Sequence, residues 1–325
     1  MRMPISGAVI HDRRLTGRAR PGLPFEHPAR RPLPPSIKVS YSRCMTIAAG
    51  FVAQDGILLA ADTMYTGGAK IHQPKLFGFN FSANTPSSST FVFALAGHED
   101  FGKMAIEDCV GALRDCPTSE HSLKTVRGLL RKSVKSIKEE YVDKAPSAER
   151  ETSKFELIIG AWLPLAGGLN LFRTKGSAVN DAGSYHCTGY GAYLGDYLMR
   201  NIFTPTMRLK DAALLAIQAL GAAKAYDASC GGDTQFMTIF PGGRLSALTP
   251  YDVHTSESYI SEFEVLSRKL LFNIADADMD DKQFVAWFDA FSDEVRRIRA
   301  FWRGAGMTYL SERFSRFTTG DQPSP

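Results

Sequence analysis

Two apolar runs, "TIAAGFVA" and "ILLAAD", meet at Gln54-Asp55-Gly56, and the second ends in the carboxylate Asp62. Apolar runs joined by a short Asp-Gly turn predict a β-hairpin. "AKIHQPKLFGFN" and "STFVFALAG" read as further strands, separated by the Ser/Asn-rich loop "SANTPSSS". The period then changes to helical over 99–115 and 121–142, where Leu123, Val126, Leu130, Val134 and Ile137 share one face. Strands return in "FELIIGAWLP", "GLNLFRTKG" and "GSYHCTG". The helices "AYLGDYLMRNIF" and "LKDAALLAIQALGAAKAY" follow, and then the strands "TQFMTIFP" and "RLSALT". Segregated blocks of strands and helices predict an α+β layered architecture and not a doubly wound βαβ one.

Beyond about residue 252 the pattern is helical again. Phe284, Phe288, Phe291, Val295, Ile298 and Trp302 recur at spacings of four and three, which makes one apolar stripe. Such a helix packs on its own domain or contacts another subunit. The chain therefore divides into a leader, 1–44, a central α+β domain, 45–252, and a helical C-terminal extension, 253–325, with a disordered tail.

Composition changes the picture at the leader. The formal net charge of +4 is unevenly distributed: residues 1–44 hold eight Arg and one Lys against Asp12 and Glu26, so the rest of the chain is slightly acidic. A near-neutral body gives no reason to expect nucleic acid as a partner. The leader also holds seven of the 17 prolines and has no usable apolar period, so it is expected to be disordered. No apolar segment follows Arg13-Arg14, which argues against a secretory signal. A propeptide, an organelle transit segment and a start over-called upstream of Met45 all remain open for it. Five cysteines (44, 109, 116, 187, 230) form no CxxC pair, which suits a reduced, cytoplasmic protein. The longest uncharged run, Leu157–Phe172, is interrupted by Pro164 and Gly167-Gly168 and cannot span a bilayer, so no membrane partner is expected. "HED" at 98–100 sets a histidine beside two carboxylates, but contiguous residues on one turn make poor metal ligands. No metal or cofactor is expected, and no GxGxxG or GxxxxGK[ST] loop is present.

Thr46 carries the candidate chemistry. An N-terminal threonine joins a hydroxyl to a free α-amine of pKa roughly 7.7–8, so nucleophile and base share one residue. Such a site needs a cation that keeps the amine neutral and a carboxylate that fixes the cation. Asp62 ends the second strand of the hairpin, where antiparallel pairing returns it to Thr46. Each candidate also has a plain structural reading. Thr46 could simply open a strand, Asp62 cap a turn, Lys75 be a solvated strand lysine, Gly97 permit a tight turn, and Asp227 end its helix.

In order, "MTIAAGFVAQDGILLAADT", a lysine-bearing strand, "FALAGHEDFG", "TGYGAYLGDYLMR" and "YDASCGGDTQFMTIFPGG" resemble the proteasome β-subunit family, which also includes the bacterial ATP-dependent protease peptidases. The resemblance covers about residues 45–250. It implies an N-terminal nucleophile hydrolase with a four-layer αββα sandwich. Carried across, Thr46 falls on the catalytic threonine, Asp62 on the aspartate after "AA", and Lys75, with Lys70 as competitor, on the family lysine. Gly97 falls on the oxyanion-hole glycine and Asp227 on the aspartate that supports the threonine amine. Tyr190 and Cys230 stand where the family has supporting serines, and Met45 stands where self-cleaving propeptides end in Gly; methionine excision after a start at Met45 would expose Thr46. The implied function is a threonine endopeptidase acting on polypeptide substrates, assembled as a homo-oligomeric ring and served by an ATPase unfoldase. A non-catalytic subunit retaining 1–44, or an amidohydrolase of small amides, are the alternatives.

Overall fold

The computed structural model describes residues 46–67, 69–81, 88–248, 250–301 and 303. The hairpin expected from the apolar runs forms from β1 (Ile47–Ala53) and β2 (Gly56–Asp62), with Ala53 opposite Gly56. Every residue of β2 is buried. This explains its unbroken apolar run, because a strand covered on both faces has no reason to alternate. After it come β3 (Met64–Gly67), β4 (Ala69–His72), β5 (Leu76–Phe81) and β6 (Ser89–Gly97). Then follow α1 (Glu99–Asp115), α2 (Leu123–Ile137), β7 (Phe155–Leu163), β8 (Gly168–Lys175), β9 (Ala178–Asp181) and β10 (Tyr185–Gly189). The chain continues through α3 (Ala192–Ile202), α4 (Leu209–Tyr226), β11 (Thr234–Ile239), β12 (Leu245–Ala247), α5 (Pro250–Ile274) and α6 (Asp281–Phe301).

One sheet runs β10-β1-β2-β11-β12 and the other β5-β6-β7-β8-β9, while β3 and β4 form a separate hairpin; all these pairings are antiparallel. Antiparallel sheets with helices in separate blocks are the α+β class that the pattern predicts. Three apolar clusters hold the elements together. Phe51, Leu58 and Phe236 of the first sheet pack on Leu209, Ala213 and Leu220 of α4. Phe91, Phe93 and Leu157 of the second sheet pack on Leu113, Val126 and Leu130 of α1 and α2. Ile57 and Leu59 meet Val92, Ala94 and Ile158 from the second sheet, so Leu58 and its neighbours in β2 serve different clusters on opposite faces.

Some elements differ from the reading of the pattern. The stretch 69–80 is not one strand: it breaks after His72, and Pro74, which lacks an N–H for a ladder, lies in the gap before β5. β3 and β9 are four-residue strands without a pattern of their own. α2 ends at Ile137 in a turn of π type over Lys138–Val142. The apolar stripe does lie on a helix, α6, which pairs with α5 through the ion pair of Lys269 with Glu294 at 3.3 Å. Phe284, Trp287, Phe288 and Phe291 form an aromatic group on it, yet Phe288 is 45% exposed and Val295 41%. Trp302, Met45 and the leader lie outside the described residues. Among the described residues, no helix is long and apolar enough to cross a membrane.

The sheets approach each other closely at Gly50 of β1, where an added Cβ would meet Ile158 Cγ2 and Leu59 Cδ2, each at 2.7 Å. Gly50→Val is expected to overpack this seam and destabilise the protein by about 1–3 kcal/mol, read from the midpoint of chemical denaturation.

Candidate active site

The β1–β2 register, with Ala48 opposite Ala61, sets Thr46 just before β1 within reach of Asp62 at the end of β2. The third member comes from the other sheet. Lys75 immediately precedes β5, and its carbonyl accepts from Leu95 N in β6 at 2.9 Å. Its side chain crosses the seam between the sheets. Lys75 Nζ donates to Thr46 Oγ1 at 2.5 Å, to Asp62 Oδ1 at 2.6 Å and to Met64 O at 2.5 Å. The Thr46 hydroxyl in turn donates to Asp62 Oδ1 at 2.6 Å.

All three side chains are essentially inaccessible: Thr46 is 1% exposed, and Asp62 and Lys75 are 0%. Ions so deeply buried persist only when paired and hydrogen-bonded. Asp62 meets that condition with four donors: Thr46 Oγ1, Lys75 Nζ, Ile47 N at 3.3 Å, and Gly231 N at 2.9 Å on its second oxygen. Lys75 also lies over the Tyr65 ring, 4.5 Å from its centroid. The Thr46 hydroxyl is therefore held between an ammonium donor and a carboxylate acceptor. An ammonium fixed against this oxygen stabilises negative charge that develops there when its proton leaves.

Of the remaining candidates, Tyr190 touches Thr46 and Cys230 lies near Asp62 and Lys75. Tyr190 N donates to Thr46 O at 2.9 Å, so the backbone of Tyr190 touches the threonine. Gly189 before it has φ +90, and a Cβ there would lie 2.1 Å from Thr46 O; only glycine allows that approach. Gly97 ends β6 with φ +98, where a Cβ would lie 2.4 Å from Lys154 O. Asp227 ends α4, and its Oδ1 accepts from Ser229 N at 3.0 Å and from Ser229 Oγ. Cys230 lies close to the site, where burial first, then the charges of Asp62 and Asp227, push its thiol up to about 12. A thiol raised that far stays protonated near neutral pH, which makes it a poor nucleophile. Lys75 is the lysine that makes the contacts described; Lys70 lies in β4, opposite Thr66.

The sequence reading missed Gly231 N, Met64 O and the Tyr190 amide, because any residue type presents the same backbone groups. The one available signal was the glycine pair after Cys230. Gly231 faces the Met64 side chain at 2.9 Å from where a Cβ would stand, and Gly232 has φ +71.

The chain matches no family model. No curated protein matches it significantly. Solved structures do match. Anbu (ancestral beta-subunit) from Yersinia bercovieri is 17% identical with a TM-score of 0.56, over 68% of this chain and 95% of that one. An Anbu (Gly-1) mutant from Hyphomicrobium sp. strain MC1 is 15% identical with a TM-score of 0.56, over 73% and 99%. The helical assembly of the Anbu complex from Pseudomonas aeruginosa gives 16% identity and a TM-score of 0.54, over 69% and 96%. At such identities the likeness is one of fold. It also corrects the resemblance drawn from the motifs: the structures named above are Anbu proteins, proteasome-like but a distinct family. The quoted motifs are short stretches of β1–β2, β6 with the start of α1, β10 with α3, and the turn into β11.

Two outcomes follow from the site's burial. Lys75→Met leaves Asp62 as an uncompensated buried charge and is expected to cost about 3–5 kcal/mol in denaturant titration. Cys230 is expected to resist iodoacetamide at pH 8 in the folded protein, read by peptide mass spectrometry, and to react once the protein is unfolded.

Proposed function

We propose that this protein is a threonine-type amide hydrolase, an endopeptidase of the N-terminal nucleophile kind, with Thr46 as nucleophile once it is the first residue. The observation that carries this reading is the Thr46 hydroxyl, buried and held between Lys75 Nζ at 2.5 Å and Asp62 Oδ1 at 2.6 Å. In this reading the molecule is a four-layer αββα sandwich. The Lys75 charge lowers the pKa of the neighbouring α-amine, so the amine is neutral near pH 7 and accepts the hydroxyl proton. Oγ1 then attacks the amide carbonyl. The backbone N–H of Gly97 is assigned to the oxyanion, and the Asp227–Cys230 turn to orienting the amine. Collapse breaks the C–N bond, returns the proton to the leaving amine, and leaves an ester on Thr46. Water hydrolyses that ester, releasing the acid and restoring the hydroxyl.

Polypeptides are the proposed substrates, with an ATPase unfoldase as the partner that would feed them, in the cytoplasm. Self-assembly into a ring or a helical ring stack is part of the same proposal. The helical assembly of the Pseudomonas aeruginosa Anbu complex supports it, as do the exposed apolar residues of α5 and α6.

Protein isolated from its native host is expected to begin at Thr46. Thr46→Ala is expected to lower hydrolysis of unfolded protein at least about 1,000-fold while leaving the denaturation midpoint close to that of the unmodified protein. An intact chain from Met1 without activity would instead indicate a non-catalytic subunit.

A further inference from the structure

The hydrogen-bond donor that reaches the second oxygen of Asp62 is carried by a turn, and that turn is fastened from outside. Residues 227–233 link α4 to β11. Gly231 N donates to Asp62 Oδ2 at 2.9 Å, Met64 N donates to Gly231 O at 3.1 Å, and Asp233 N donates to Thr63 Oγ1 at 2.9 Å. The turn is thus joined directly to residues 62–64. Its C-terminal stem is Thr234, opposite Asp62 in the β2–β11 register. Its N-terminal stem is the last turn of α4, which contains Lys224.

Glu257, from the first half of α5, ties these stems together. Its Oε1 accepts from Lys224 Nζ at 2.9 Å and from Thr234 Oγ1 at 2.5 Å, and Lys224 Nζ donates to Thr234 Oγ1 at 2.6 Å. The three groups form a closed triangle of hydrogen bonds across the base of the turn. Lys224 and Glu257 keep only 16% and 25% of their side-chain surface, so the pair is shielded well beyond an ordinary surface ion pair. Gly232, at the tip of the turn, lines the same cleft of about 450 Å³ as Lys224 and Glu257. The far side of the turn therefore faces α5.

We propose that Glu257 is a positioning residue for Asp62, and so for the Thr46–Lys75 group: by holding Lys224 and Thr234 together it fixes where the Gly231 amide stands. The proposal rests on the hydrolase reading above. A plain tie between α4 and α5 would make the same contacts but would leave Gly231 and the chemical step unaffected when broken.

The experiment compares the full chain, purified from its native host, with Glu257→Gln and, as a second route to the same break, Lys224→Met. Glu257→Gln keeps the shape and removes the charge. The expected result is a fall in kcat of about tenfold with KM within about twofold in both variants, since a displaced supporting group costs rate more than binding. Amide exchange at Gly231 and Thr234 is expected to quicken about tenfold relative to the β1–β2 ladder. Unchanged kcat and unchanged Gly231 exchange, with only a lowered Tm, would overturn the proposal. If the unmodified protein proves inactive, the hydrolase reading fails by itself. Gly231 exchange then still decides: faster exchange in both variants upholds the positioning of Asp62, and equal exchange overturns it.

Discussion

The buried ion pair of Lys75 with Asp62 is the constraint on which the rest of the structure turns. Its two charges come from different sheets and meet with no exposure to solvent. An isolated charge at that depth is untenable, so the pair holds only while the sheets stay closed on each other. Closure depends on the apolar seam of Ile57, Leu59, Val92, Ala94 and Ile158 and on the small residues that let the sheets approach, Gly50 among them. Hydrophobic packing supplies the stability and the pair supplies the register. A shift of β2 by one residue would turn Asp62 to the other face of its sheet, away from Lys75.

How much of this was legible depended on what kind of group carried each role. The hairpin, Asp62 at its end and the paired helices were visible because side-chain pattern alone dictates them. Lys75 could be named but its burial could not, since "KLFGF" reads equally well as an edge strand with a solvated head. The groups that complete the site left almost no trace. Gly231 N, Met64 O and the Tyr190 amide act through the backbone, which any residue type presents alike. β3 was hidden because a four-residue strand is too short to show a period, and β4 reads as one strand with β5. α5 was visible only as part of a helical extension, because its apolar positions are spread around the helix and form no stripe.

The family reading went astray for a related reason. The motifs that suggested it are short stretches of β1–β2, β6 with the start of α1, β10 with α3, and the turn into β11. Motifs this short carry little family information by themselves. Over the whole of the fold the likeness is to Anbu proteins, and at 15% to 17% identity it is a likeness of fold.

α5 joins two regions with opposite needs. Near its start Val253 and Ser256 are buried against the body, and Glu257 closes the triangle with Lys224 and Thr234. Toward its end Leu271 is 64% exposed, Phe272 68% and Ile274 63%. The first turns are held by packing and by a shielded ion pair. The later ones are tied to α6 by the surface ion pairs of Lys269 with Glu294 and of Arg297 with Glu262, each worth little singly. Helices of this length draw most of their stability from a buried apolar face. That leaves the distal half of the pair the least self-sufficient part of the described structure, and the part that gains most from further burial. The same helix ends, at its other extremity, on the turn that supports Asp62.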